Sequence, residues 1–342
     1  MKAVIAITMG DFNGIGPEVA LRTVTSNSAR NIAIPILIGS IDVFEYYAKL
    51  LKLKVNLKEI DYIPQKNENF TPIIPVRKYL KPRIKPGIIS LEAGRLAAES
   101  VLAAALLCLK HDIGGMVTAP LSKEAINFDG FAFPGQTEIL AAICGSNQFA
   151  MILTSGSFRV GLVTIHLPIK DVTKSITTKL LFDKINILHN SLKKDFKIKT
   201  PKIAILGLNP HAGENGRMGK EEITTIIPAM KLATRSKIKV EGPFSADGFF
   251  GSRMYKEYDG ILAMYHDQGL IPLKMEGFNK GVNFTAGLPI VRTSPDHGTA
   301  FSLAGKGVAD PNSTIEALKL AVEIINNRKS IASKTTKLKN RK

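Results

Sequence analysis

The 342-residue sequence contains no tryptophan, only two cysteines and no long hydrophobic run. Two thiols exclude the disulfide framework of a small secreted domain, and a chain of this length buries enough surface to fold without one. The longest apolar stretch, VLAAALLCL at 101–109, is too short to cross a bilayer. The first residues, MKAVIAITMGD, lack the extended apolar segment of a secretory signal. We therefore expect a cytoplasmic protein that has no membrane partner and keeps Cys108 and Cys144 reduced.

Acidic residues are in the minority, and the formal net charge at pH 7 is +17. The last fifteen residues, 328–342, contain seven basic residues and no acidic one. This composition predicts a disordered basic tail that follows a single two-lobed catalytic unit at 1–327, whose lobes exchange segments. The remaining positive charge is spread over loops, and no basic helix interleaved with aromatic residues is present. We therefore expect no nucleic-acid partner.

Neither glycine-rich loop of the chain completes a nucleotide-binding fingerprint. In GDFNGIGPE (10–18), Gly14 and Gly16 match the first two glycines of GxGxxG, but Val19 stands at the third position. In GENGRMGK (213–220), Glu214 stands where a phosphate-binding loop requires its first glycine. The loop at 10–18 can hold an anion at a helix N-terminus or serve as a plain tight turn, and both interpretations remain open here.

Apolar strand-like runs alternate with amphipathic helical segments, which predicts an α/β protein with a largely parallel sheet. Three of the six histidines follow such runs: His166 in TIHLP, His211 in NPHAGENG and His266 in MYHDQG. Ligands of open α/β sheets bind at strand ends, and three imidazoles with one open position are typical of a catalytic metal. Taken singly, each histidine is more often an ordinary polar residue. Their shared context predicts one divalent metal site.

The loops together resemble the 4-hydroxythreonine-4-phosphate dehydrogenase family of vitamin B6 biosynthesis. The matching segments run in order from residue 10 to about residue 301 and include TAPLSKEAI, FPGQTE, GLNPHAGENGRMGKEE, AMYHDQG and RTSPDHGTA. The resemblance implies a two-lobed α/β fold like that of isocitrate and isopropylmalate dehydrogenases, with a central cleft and not a Rossmann fold. It also implies a homodimer whose active site is shared across the interface.

The resemblance implies a role for individual residues as well. His166, His211 and His266 would bind one divalent metal per site, with zinc, magnesium and cobalt as candidates. The residues expected to bind the phosphorylated substrate are Gln136, Thr137, Lys274, Asn283 and Arg292. The family pattern has histidine where this chain has Gln136, and glutamine can donate a hydrogen bond but cannot titrate.

The stretch DHGTAFSLAGKGVADP resembles a loop that holds NAD, so His297, Gly298 and Thr299 are the expected cofactor-binding residues, for NAD or NADP. Asp247 and Asp267 are candidates for proton transfer or for orienting an imidazole. The alternative for both aspartates is a role in a turn or a helix cap.

The resemblance implies NAD-dependent oxidation of 4-phosphooxy-L-threonine to 2-amino-3-oxo-4-phosphooxybutanoate, which decarboxylates to 3-amino-2-oxopropyl phosphate. The substrate is thus a small phosphorylated hydroxy amino acid. Two alternatives remain open from the sequence. One is a sister dehydrogenase of 4-phospho-threonate or 4-phospho-erythronate, which Gln136 would favour. The other is a metal-dependent phosphohydrolase in which the same histidines activate water.

Overall fold

The computed structural model describes residues 2–126 and 135–339, with the backbone alone for 334–339. The first part of the chain contains β1 (Ala3–Thr8), α1 (Gly16–Thr25), α2 (Asn27–Ile32), β2 (Ala33–Gly39), α3 (Ile41–Leu50), β3 (Leu57–Glu59), β4 (Thr71–Pro75), α4 (Leu91–Leu109), β5 (Gly115–Val117) and α5 (Gln136–Ile143). The middle part contains β6 (Ala150–Ser155), β7 (Phe158–Leu162), α6 (Ile169–Ser175), α7 (Thr178–Lys194), β8 (Lys202–Leu206), α8 (Ile227–Arg235), β9 (Lys239–Phe244), α9 (Ala246–Gly251), β10 (Gly260–Ala263), α10 (His266–Gly277) and β11 (Val282–Ala286). The last part contains β12 (Arg292–Pro295) and α11 (Asn312–Lys339).

The chain divides into two compact units, each built from two separate segments. The first unit comprises residues 1–147 and 288–325, and the second comprises 148–287 and 326–342. No helix among the described residues is long and apolar enough to cross a membrane.

The first unit contains a wholly parallel run of strands in the order β3-β4-β2-β1-β5-β12. Its central strands read as continuous apolar runs, AVIAIT in β1 and AIPILIG in β2, and nearly every side chain in them is buried. Such runs suit strands that are covered on both faces, as parallel strands are. Cys108 is buried in this unit and burial raises the pKa of its thiol to about 12, while Cys144 is half-buried.

The second unit contains strands in the order β11-β6-β7-β10-β8-β9. The pairs β11/β6 and β6/β7 are antiparallel, whereas β7/β10, β10/β8 and β8/β9 are parallel. The β6/β7 hairpin turns at Gly156, whose φ of +57° lies in the left-handed region that glycine adopts without strain. Because β7, β10 and β8 are adjacent and parallel, their carboxyl ends lie at one edge of the sheet.

The last helix contradicts the predicted boundary after Asn327. α11 continues to Lys339, and Arg328 belongs to the fold instead of starting a tail. The Nε atom of Arg328 lies 2.7 Å from Oδ1 of Asp195, and the two side chains are only 14% and 3% exposed. The amide of Asn327 also donates to the Asp195 carbonyl. The composition of 328–342 could not predict where the folded part ends. A basic residue that pairs with a buried acid has the same composition signal as a solvated one.

Candidate active site

The three histidines highlighted by the sequence all belong to the second unit. His166 follows β7, His211 follows β8, and His266 is the first residue of α10, directly after β10. The registers of β10 with β7 and with β8 place these three strand ends side by side. The three histidines therefore follow strands whose carboxyl ends lie at one edge of the sheet, where open α/β sheets bind ligands.

His166 and His266 lie close together, with ring centroids 5.7 Å apart and ring planes inclined at 41°. A metal-bound imidazole nitrogen lies about 2.1 Å from zinc, which puts its ring centre roughly 3.2 Å from the ion. Two such ligands at a tetrahedral angle have ring centres about 5 Å apart. The observed separation therefore suits two ligands of one ion.

Asp267 orients the His266 ring. Its Oδ1 atom lies 2.7 Å from Nδ1 of His266, so Nδ1 carries the hydrogen in the neutral ring and Nε2 keeps its lone pair. A carboxylate on the far nitrogen of a metal-binding imidazole fixes the tautomer and raises the basicity of the ligand. The contact is consistent with the orienting role considered for Asp267.

His211 does not join the other two rings. Within residues 2–126 and 135–339, no three His, Cys, Asp or Glu side chains are gathered so that they could hold one ion. His211 is exposed and acts electrostatically on Asp247. The hydrogen bond from Ser245 is the largest cause of the lowered pKa of Asp247, and the His211 charge adds a smaller contribution.

His211 lies in a left-handed turn that the sequence did not reveal. Five consecutive residues, from His211 to Asn215, have φ between +43° and +78°. For residues other than glycine this conformation costs about 1–2 kcal/mol each. The two glycines and two asparagines of NPHAGENG suggest a turn, but turn signals do not predict five left-handed residues in a row.

Two residues that sequence reasoning missed connect the strand ends. Glu222, which is 2% exposed, accepts hydrogen bonds from the backbone at Leu208 and Asn209. Gln268 accepts from the Met264 amide and donates to the Gly207 carbonyl, both at 2.7 Å. Gln268 thereby joins the end of β10 to the end of β8. Both residues lie within segments that resemble the family, GLNPHAGENGRMGKEE and AMYHDQG, but the sequence does not indicate which backbone groups they bind.

Arg292, in the first unit, is buried and belongs to β12. Its Nε and Nη2 atoms lie 2.9 and 2.7 Å from Oγ1 of Thr118, and Nη2 also donates to Oε1 of Gln136 at 3.0 Å. The amide nitrogen of Gln136 donates to the Ala119 carbonyl at 2.9 Å, which fixes the orientation of its oxygen. Burial lowers the pKa of Arg292 to about 10, and Glu138 opposes this shift. The guanidinium therefore remains charged at neutral pH.

The remaining predicted substrate residues are distributed over both units. Thr137 is buried beside Gln136 in α5, in the first unit. Lys274 is exposed on α10, and Asn283 lies on β11, both in the second unit. The Oδ1 atom of Asn283 is buried and has no hydrogen-bond partner within the described residues. An unpaired buried acceptor is costly, so this atom is suited to a donor supplied by a ligand. Within FPGQTE, Phe133 and Pro134 lie outside the described residues.

The loop that holds His297, Gly298 and Thr299 packs against the glycine-rich loop at 10–18. The Ile15 amide donates to the Thr299 carbonyl at 2.9 Å. Burial lowers the pKa of His297, and its Nε2 atom is buried with no hydrogen-bond partner within the described part of the chain. A Cβ on Gly14 would lie 2.8 Å from the Thr299 carbonyl, so only glycine permits this contact.

The loop at 10–18 packs against the chain that follows β12 and contains two buried carboxyl groups. Asp11 lies in it with no exposed surface, and burial raises the pKa of this carboxyl to about 6. The buried Glu18 accepts from the Ala309 amide at 3.1 Å, and Arg22 donates to the Gly307 carbonyl at 2.8 Å. Two buried carboxyl groups at this helix start would repel an anion.

Strand-end imidazoles, a buried guanidinium and loops held by buried polar groups are the features of an α/β enzyme for small polar substrates. Comparison with known proteins narrows this class. The family described as pyridoxal phosphate biosynthetic protein PdxA matches residues 31–321. The chain belongs to this family, and the resemblance noted in the sequence is confirmed.

Individual relatives agree with this placement. The chain is 44% identical to 4-hydroxythreonine-4-phosphate dehydrogenase of Prosthecochloris aestuarii, covering 94% of this chain and 97% of the relative. It is 40% identical to an Oceanobacillus iheyensis protein that is named as a D-threonate 4-phosphate dehydrogenase, and the match covers 94% of this chain and 97% of the relative. The crystal structure of 4-hydroxythreonine-4-phosphate dehydrogenase from Klebsiella pneumoniae superposes with a TM-score of 0.86 at 34% identity, covering 95% and 98%. This match confirms the expected α/β fold class.

Proposed function

We propose that this chain is an NAD-dependent, divalent-metal-dependent dehydrogenase that oxidises 4-phosphooxy-L-threonine to 2-amino-3-oxo-4-phosphooxybutanoate. The product decarboxylates to 3-amino-2-oxopropyl phosphate, a step towards pyridoxal 5'-phosphate. The metal dependence is supported by the pair of imidazoles, His166 and His266, whose ring centroids are 5.7 Å apart. Asp267 forms a hydrogen bond with Nδ1 of His266. The proposed reaction is supported by membership in the family.

Each group of residues has a part in this reaction. His166, His211 and His266 would hold the divalent ion, which would supply a Lewis acid that lowers the pKa of the substrate C3 hydroxyl. His297, Gly298 and Thr299 would hold the dinucleotide, which would supply the hydride acceptor. The Nε2 atom of His297 supports the assignment of the dinucleotide, and the Oδ1 atom of Asn283 supports its assignment to the substrate, because each is buried without a partner among the described residues and a ligand would satisfy it.

Arg292 anchors the phosphate group, away from the reacting carbon. Thr118 and Gln136 hold the guanidinium in place through its Nε and Nη2 atoms, and its positive charge attracts the phosphate. Lys274 adds a second positive charge and Thr137 a hydroxyl. Such anchoring converts binding energy into orientation of the C3 hydroxyl.

A second copy of the chain completes the metal site in this proposal. Ile271, Met275 and Phe278 are 59%, 84% and 77% exposed, at a spacing that puts them on one face of α10 and its C-terminal end. The opposite face buries Leu270 and Leu273. An apolar face of this kind on a helix that begins with His266 suits a homodimer interface next to the metal ligands. If the three histidines that hold one ion come from both copies, it follows that His211 stands apart from the pair within one copy.

One rival has support of its own. The Oceanobacillus relative carries the name of a threonate phosphate dehydrogenase at 40% identity, and Gln136 departs from the histidine expected in the family. Threonate phosphate has a hydroxyl where threonine phosphate has an amine. The rival enzyme would use the same fold, ion and dinucleotide on this amine-free acid.

The decisive assay follows NADH formation and inorganic phosphate release with 4-phosphooxy-threonine, 4-phospho-threonate and 4-phospho-erythronate, with and without Zn²⁺, Co²⁺ or Mg²⁺. We expect metal-dependent NADH formation, the highest kcat/KM for the threonine derivative, and no phosphate release. A preference for threonate phosphate would transfer the assignment to the rival. Phosphate release without NADH would identify a phosphohydrolase. The chain should also sediment as a dimer.

A further inference from the structure

We propose that Lys85 and Lys306 bind the pyrophosphate of the dinucleotide and neutralise its negative charge. This assignment rests on the proposed function and concerns a part of the cofactor that His297, Gly298 and Thr299 would not neutralise. Burial lowers the pKa of His297, so its ring is neutral at pH 7 and the three residues offer no positive charge. Lysine binds phosphate groups as a point charge, and a cation beside the pyrophosphate strengthens the binding of a dinucleotide.

The two lysines flank one point of contact within the first unit. Pro86 directly follows Lys85, and Gly305 directly precedes Lys306. A Cβ on Gly305 would lie 2.9 Å from Cβ of Pro86, so these two residues are in van der Waals contact. Because consecutive Cα atoms are about 3.8 Å apart, the Cα atoms of the two lysines lie no more than about 14 Å from each other. Two extended lysine side chains can meet around one pyrophosphate across that distance.

The backbone at Lys85 is fixed by Asn13, which has no exposed surface. Oδ1 of Asn13 accepts from the Lys85 amide at 2.7 Å, and its carbonyl accepts from the Gly87 amide at 2.7 Å. The side-chain amide of Asn13 donates to Oγ of Ser90 at 3.2 Å. Lys85 is therefore presented from a backbone that does not have to be ordered when a ligand binds, which lowers the entropic cost of binding.

Both lysines are exposed, and neither forms an ion pair with any residue that the structure describes. The segments that contain them, 81–91 and 297–309, have no acidic residue. The glycine-rich loop at 10–18 does not supply positive charge, because its Asp11 and Glu18 are buried carboxyl groups. The charge of the two lysines is therefore available to an anion that binds beside the loop of His297.

The backbone of that loop offers further hydrogen-bond donors. Within residues 2–126 and 135–339, the amides of residues 298–302 donate no hydrogen bond. Ala300 has a φ of +43°, and successive N–H groups around a left-handed residue form a concavity that suits an anion. The Nε2 atom of His297 next to these amides is buried without a partner among the described residues. Unused donors and an unpaired ring nitrogen in the loop of Lys306 indicate where a polar ligand binds.

The test measures the affinity of the full-length protein for NAD⁺ and NADP⁺ by isothermal titration calorimetry, without substrate. We expect Lys85→Gln and Lys306→Gln each to weaken binding of both dinucleotides by about three- to fivefold, the scale of an exposed ionic contact. The double variant should lose about tenfold or more. Lys306→Arg keeps the charge and should bind like the wild type. These differences should shrink at high ionic strength, because salt screens exposed charges.

Lys110→Gln is the matched control. Lys110 is also exposed in the first unit, but it follows the last residue of α4, whereas Ser90 precedes the first, so the length of the helix, roughly 28 Å, separates them. This variant should bind both dinucleotides like the wild type.

The outcomes separate this assignment from the proposed function. Equal affinity of the wild type and the double variant would overturn the role of the lysines and leave the proposed function intact. An equal loss in Lys110→Gln would also overturn it, because the effect would then follow net charge alone. A loss confined to NADP⁺ would place the lysines at the 2′-phosphate instead of the pyrophosphate. Failure of the wild type to bind either dinucleotide would overturn both proposals.

Discussion

Replacement of Arg328 by alanine should lower the free energy of unfolding of the second unit by about 3 kcal/mol. Arg328 forms a 2.7 Å ion pair with Asp195, and both side chains are largely buried. Loss of one partner from such a pair costs about 3–5 kcal/mol, because it leaves an uncompensated buried charge. We expect the lower end of that range, since Asp195 keeps the hydrogen bond from Ser191 at 2.8 Å.

The measurement is urea unfolding followed by circular dichroism, with thermal unfolding as a second probe. A loss of this size should lower the melting temperature by on the order of 6–12 °C for a unit of this length. Lys329→Ala is the matched control, because it removes the same charge from an exposed position in the same helix. Its effect should stay within about 0.5 kcal/mol.

Two further variants test the reasoning. Asp195→Asn in the Arg328→Ala background should recover part of the lost stability, because it removes the unpaired charge. A chain that ends after Asn327 should be destabilised like Arg328→Ala, whereas one that ends after Ser333 should resemble the full chain. A change of less than about 0.5 kcal/mol in Arg328→Ala would refute the argument.

Three more predictions concern the site and its surroundings. Arg292→Lys should lower kcat/KM for the phosphorylated substrate by the equivalent of about 1–3 kcal/mol and leave the KM for NAD unchanged, because an ammonium cannot replace the guanidinium fork; equal kinetics would argue against phosphate binding. Asp11→Asn should raise the free energy of unfolding by about 1–3 kcal/mol at pH 7, because burial raises the pKa of Asp11 to about 6 and the fold disfavours its charged form. This gain should disappear below about pH 4, where Asp11 is protonated in both states, and urea unfolding at several pH values would measure it. Phe278→Glu should shift the chain from dimer to monomer in sedimentation velocity, and an unchanged dimer would place the interface elsewhere.

The elements that sequence patterns predicted are those that depend on neighbours in the chain. Ser90 directly precedes α4, and its hydroxyl accepts from the Ala93 amide, as a serine N-cap does. The β6/β7 hairpin turns at a glycine, and the buried parallel strands β1 and β2 are continuous apolar runs, so each depends on a local pattern. The strand-end histidines were visible for the same reason, since each lies within five residues of the end of its strand.

The sequence alone therefore determined the α/β class, the family and the strand ends at which His166, His211 and His266 lie. Only the tertiary structure decided which distant polar groups pair with each other. Asp195 and Arg328 are 133 positions apart, and Thr118 and Arg292 are 174 apart. Such partners meet only after strands and helices have packed in register. A local pattern reports the backbone that a segment prefers, but which distant polar group satisfies a buried charge depends on the folded chain as a whole.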